Sequence, residues 1–93
     1  MNQKRNLFKS KEKRTREEVS SFLRELADRV SAGSIKLKHG EKEVNLDLSQ
    51  HLTLEVKATE KQKLKNGLKY ELELEIDWYE NDQGQSDTPL QLG

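Results

Sequence analysis

From Gly67 the chain reads GLKYELELEIDWY, and apolar and charged residues alternate through it without a slip. Leu68, Tyr70, Leu72, Leu74, Ile76 and Trp78 fall on one side. Lys69, Glu71, Glu73, Glu75, Asp77 and Tyr79 fall on the other. Successive side chains of a strand point to opposite faces, so the pattern predicts one long strand over 68–79, with a dry face and a wet one.

Upstream the period changes. Val19, Phe22, Leu23, Leu26, Ala27 and Val30 recur at three- and four-residue spacing and form one apolar stripe. Thr15 stands three residues before Glu18, the spacing of a reciprocal helix cap, and Glu17 and Glu18 place negative charge in the first turn. Gly33 can take the left-handed conformation that ends a helix. A helix over 16–31 follows. Before it, residues 4–10 are a candidate short first strand, because Leu7 and Phe8 offer something to bury.

After the helix, Ile35 and Leu37 alternate with lysines, His39-Gly40-Glu41-Lys42 turns the chain, and Val44, Leu46 and Leu48 alternate again. A two-residue turn at Gly40-Glu41 sets Leu37 opposite Val44, Ile35 opposite Leu46 and Lys38 opposite Glu43, so both faces agree. Leu52, Leu54, Val56 and Ala58 resume the alternation. The connection to the long strand must then have odd length, or the two apolar rows fall on opposite faces. A three-residue loop, Lys65-Asn66-Gly67, with Gly67 left-handed, is the simplest solution; longer odd loops starting near Thr59 satisfy the same parity.

The fold class these elements predict is α+β: one amphipathic helix packed on one face of a four- or five-stranded antiparallel meander sheet. The expected core is Val19, Phe22, Leu23, Leu26, Val30, Ile35, Leu37, Val44, Leu46, Leu54, Val56, Leu72, Leu74, Ile76 and Trp78. Residues 1–80 form a single domain in this reading, with 1–14 as a basic lead-in and 81–93 as a disordered polar tail.

Composition sharpens the picture in three places. Only 31% of the 93 residues are hydrophobic and 37% are charged, so the core is small and a net stability of about 5 kcal/mol is reasonable. The absence of cysteine excludes disulfides, thiolate metal sites and cysteine nucleophiles. Net charge is zero but polarised: residues 1–16 carry +6 and the remainder −6, with seven acids and no base beyond Lys69. Such asymmetry bears on association rather than on fold. The charged opening MNQKRNLFKSKEKR lacks the apolar run of a signal peptide, and no stretch is apolar for long enough to span a bilayer. The expectation is a cytoplasmic protein that does not engage membranes.

The order of parts also resembles a known family. A basic lead-in containing Phe8, a helix opening Thr15-Arg16-Glu17-Glu18, the phrase Leu26-Ala27-Asp28-Arg29-Val30 and a closing Glu73-Leu74-Glu75-Ile76-Asp77-Trp78 resemble the amphi-Trp domain family over residues 6–80. That family comprises small prokaryotic domains without an assigned biochemical role. The resemblance therefore implies architecture and a cytoplasmic setting, and carries over no catalytic residue. The polar extension past Glu80 is longer than the family's usual ending.

Chemistry is sparse. His39 and His51 stand on a turn and a loop, where solvated histidines are ordinary, and His39 with Glu41 and Glu43 falls short of the three or four converging ligands a metal site needs. Ser49 has no base and orienting acid beside it, and the five glycines are scattered rather than gathered in a phosphate loop. No catalytic residue, metal or cofactor is expected.

Two features suggest binding instead. Glu71, Glu73, Glu75 and Asp77 make a line of carboxylates, with Trp78 closing the apolar row behind them. The bland reading is a solvated face relieved by cross-strand lysines such as Lys57, with Trp78 as a core plug. The functional reading is a surface for a basic protein partner or for self-association. Lys9, Lys11, Lys13, Arg14 and Arg16 form the second feature, a cationic arm able to meet nucleic-acid phosphates without reading sequence. The acidic domain behind it opposes that use, and Phe8 alone offers base stacking. The preferred function is thus a non-catalytic protein-interaction module, with sequence-independent nucleic-acid binding as the alternative.

Overall fold

A computed structural model describes residues 3–80. It contains one helix, α1 (Arg16–Ala32), and four strands, β1 (Ser34–His39), β2 (Lys42–Asp47), β3 (Thr53–Lys63) and β4 (Gly67–Asp77). The strands form two separate two-stranded antiparallel sheets, β1–β2 and β3–β4, rather than the single meander the alternation suggested. Each pairing joins strands that are neighbours across a two- or three-residue turn, the contact with the lowest loop-closure cost, and matches six residues with six and eleven with eleven. The Ser49-Gln50-His51 interruption also breaks any ladder continuing from β2. Residues 4–10 are irregular and add no fifth strand. The proposed tail, 81–93, lies outside the described residues.

The chain divides into two compact units, Met1–Leu48 and Ser49–Gly93. In the first, α1 opens with the reciprocal cap its sequence predicts. The Glu18 backbone N–H donates to the Thr15 hydroxyl at 3.1 Å, and the Thr15 N–H donates to the Glu18 carboxylate at 3.0 Å. Gly33, at φ 91°, ends the helix with its N–H shared between the carbonyls of Arg29 and Val30, at 2.9 and 3.1 Å. A one-residue connection then launches β1, which α1 contacts. Burial follows from this geometry. Leu26 and Val30, near the tight turn, are half-buried, whereas Val19, Phe22 and Leu23, farther from it, are exposed. Leu37 faces Val44, Ile35 faces Leu46 and Lys38 faces Glu43, as the two-face argument required.

Among the described residues, Ile35, 8% exposed, is the buried hydrophobic core. The fifteen-residue core inferred from pattern is therefore far too large. Leu37, Val44, Leu46, Ile76 and Trp78 are half-buried, and Leu54, Val56, Leu72 and Leu74 are exposed. Pattern marks which face of an element is apolar; only packing buries it.

The cap makes a measurable prediction. The backbone and hydroxyl hydrogen bonds from Thr15 hold the Glu18 carboxyl below its ordinary range, with Arg14 adding a smaller effect. A carboxylate depressed in the folded state contributes stability that is present above its unfolded pKa and lost as pH falls through the folded value. Helix content should therefore be constant near neutrality and decline below about pH 4. Thr15→Ala should cost about 1 kcal/mol at neutral pH and flatten that acid-side decline, read by far-ultraviolet circular dichroism. An acid profile identical in both proteins would show that the cap does not govern it.

Candidate functional site

The second unit is dominated by the β3–β4 hairpin. Lys63 pairs with Gly67 around the three residues Leu64, Lys65 and Asn66, and Gly67 is left-handed at φ 75°. The loop has the odd length that parity demands. It starts one residue earlier than Lys65-Asn66-Gly67, which shifts the paired register by two residues and leaves every side chain on its expected face.

That register determines which charges meet. On the wet face Glu55 stands directly opposite Glu75, Lys57 opposite Glu73, Thr59 opposite Glu71, Lys61 opposite Lys69 and Thr53 opposite Asp77. Lys57 thus lies across from an acid, as the solvated-face reading supposes, while Glu55 and Glu75 form a like-charge rung. Like charges directly opposite each other destabilise a strand pair. The hairpin is consequently polarised along its length. Its open end gathers Glu55, Glu73, Glu75 and Asp77, and its turn end carries Lys61, Lys63, Lys65 and Lys69. Glu55, Lys57, Glu73, Leu74 and Glu75 line a depression here. Glu71 is drawn toward the turn-end bases, with the Lys69 ammonium 3.8 Å from its carboxylate.

Trp78 follows the last rung, Thr53–Asp77, and is half-buried, so the long strand stops two residues short of its expected end at Tyr79. Beside it, the Ser49 hydroxyl donates to the Tyr79 carbonyl at 2.6 Å, tying the two open ends of the hairpin together.

The cationic arm is less free than composition implies. Arg14 is paired with Glu12 and, at 3.3 Å, with Glu18. The hydrogen bond and charge of Arg14 hold the Glu12 carboxyl low, and Glu12 in turn holds the Arg14 guanidinium up. Glu12 also lies 3.2 Å from His39 Nε2, so the carboxylate nearest that histidine comes from the lead-in rather than from Glu41 or Glu43. The i,i+4 spacing of Arg14 and Glu18 was a readable signal. No local pattern announces the contact between Glu12 and His39. Lys9, Lys11, Lys13 and Arg16 are exposed, the three lysines on irregular backbone and Arg16 at the first position of α1. The lead-in, α1 and β1 enclose an open cleft between them, with Phe8, Phe22 and His39 among its walls.

Among the described residues no three histidine or carboxylate side chains converge as a metal site, and no helix is long and apolar enough to cross a membrane. Fold and surface together define a small α+β domain of one helix and four antiparallel strands, closing on an acidic amphipathic strand and a tryptophan. The chain belongs to the Amphi-Trp domain family, whose model matches residues 1–93. No curated protein and no solved structure matches it.

Proposed function

We propose that this chain is a non-catalytic interaction module of the cytoplasm that takes a basic protein segment on the acidic end of the β3–β4 hairpin. The observation that carries the reading is the Glu55–Glu75 rung, flanked by Glu73 and Asp77. Two carboxylates held opposite each other repel, and an incoming cation relieves both at once. The sheet has two strands, so its outer edges are a template for an extended partner whose alternate residues are lysine or arginine. Glu71 and Trp78 flank this surface and play supporting parts.

The test is an amide chemical-shift titration with a peptide of alternating lysines, at low and then high salt. Shifts at Glu55, Glu73 and Glu75 that salt reverses support the reading. No shifts at low salt, or shifts that persist unchanged at high salt, rule out the electrostatic mechanism. A parallel titration with a short mixed-sequence nucleic acid separates the alternative. Salt-reversed shifts confined to Lys4–Arg16 would move the function to the cationic arm.

A further inference from the structure

The lead-in of the first unit lies beside an open strand edge. Among the described residues β1 pairs with β2 alone, so its other edge has no strand next to it. Lys36, Leu37, Lys38 and His39 line the cleft in unbroken order and no residue of β2 does, so the cleft runs along that edge. Phe8, Ser10, Glu12 and Arg14 of the lead-in form another of its walls. Among the described residues no backbone hydrogen bond joins the lead-in to β1. The polar contact that crosses is made by side chains. Glu12 Oε1 lies 3.2 Å from His39 Nε2, while the second oxygen of the same carboxylate is held by Arg14. Covering an open strand edge with a loop is a common protection, and here a titrating side chain fastens the loop.

We infer that the lead-in is a proton-operated strap, fastened along the open edge of β1 by the Glu12–His39 pair when His39 is protonated and released when it is neutral. Release frees the arm that carries Lys9, Lys11 and Lys13. Histidine changes charge between pH 5 and 8, where carboxylates are already ionised. Attraction between imidazolium and carboxylate is therefore present at the acid end of that window and lost as pH rises through it. Glu12 stays charged throughout, because the hydrogen bond and charge of Arg14 hold its carboxyl below the ordinary range. Other charges set the balance at His39. Lys42 stands directly opposite it on β2, Lys38 precedes it, Glu41 follows two residues on, and Glu17, Glu18 and Glu25 of α1 line the same cleft. The bases, Arg14 among them, oppose protonation and the carboxylates favour it, Glu12 being in direct contact. Both members of the pair are open to water, so the strap population shifts by roughly twofold to fourfold rather than all or none. This strap acts in the first unit and stands independently of the acidic hairpin.

Because the chain has no cysteine, Lys9→Cys carries a single nitroxide label on the strap. Paramagnetic broadening of the Lys36 and Lys38 amide signals then reports how closely the strap lies along β1. In the full chain at low salt, the fastened population should fall roughly twofold to fourfold from about pH 5.5 to about pH 8. His39→Gln and Glu12→Gln should each hold the broadening at its high-pH level across the whole range. His51→Gln removes the chain's second histidine and should leave the response intact. High salt should flatten the response in the parent. His39 and Glu12 both reach solvent, so these substitutions leave the fold in place, which far-ultraviolet circular dichroism checks. Equal broadening at both pH values in the parent overturns the strap. So does a response that survives His39→Gln or Glu12→Gln, or one that disappears with His51→Gln.

Discussion

Ile35→Ala is expected to cost the first unit about 2–4 kcal/mol, which is most of the stability a domain of this size holds. Ile35 is 8% exposed, sits opposite Leu46 and lies on the strand that α1 contacts. Removing its side chain therefore leaves a gap where helix and hairpin meet. The other apolar residues of this unit's α1, β1 and β2, among them Leu26, Val30, Leu37 and Val44, are half-buried at most, so the unit has no second buried centre to take over. Urea denaturation followed by circular dichroism should show the midpoint fall steeply and helix signal weaken at zero denaturant. Leu64→Ala is the control: Leu64 is fully exposed in the β3–β4 loop, and its loss should leave the midpoint unchanged. An Ile35→Ala protein as stable as its parent would place the core elsewhere.

Glu75→Lys is expected to move stability and binding in opposite directions. Lysine at position 75 faces Glu55, turning a repulsive rung into an attractive one and stabilising the hairpin by about 0.5 kcal/mol. The same change removes one carboxylate from the acidic end and adds a cation, so affinity for a basic peptide should fall roughly tenfold or more at low salt. The sign of the stability change also tests the register. Had the loop been Lys65-Asn66-Gly67, residue 75 would face Lys57, and the substitution would create a lysine pair and destabilise the hairpin. Denaturation midpoint and peptide affinity, measured on one protein, decide both questions. A lower midpoint would contradict the Glu55–Glu75 rung, and unchanged peptide affinity would contradict the acidic-end site.

Local pattern specifies much of this chain. The reciprocal cap at Thr15 and Glu18, the left-handed stop at Gly33 and the β1–β2 register are each decided by residues close in the chain. The acidic row was equally legible, because alternation alone assigns Glu71, Glu73, Glu75 and Asp77 to one face. Its like-charge rung was not. A slip of two residues leaves all faces intact, so hydrophobic pattern cannot separate the observed pairing from its neighbour two residues away. Likewise the tie between Glu12 and His39 joins positions far apart in sequence, where spacing carries no information.

The sequence by itself determined the elements, their apolar sides, the odd length of the last loop and the family. All of these follow from short-range sterics and from the two periods of helix and strand. Tertiary structure alone decided that four strands make two sheets, that Ile35 is the buried centre, and that Glu55 meets Glu75. The physical reason is that an amphipathic pattern states a demand for cover on one face, whereas the supply of cover depends on strand lengths, turn geometry and partners beyond the reach of neighbouring residues.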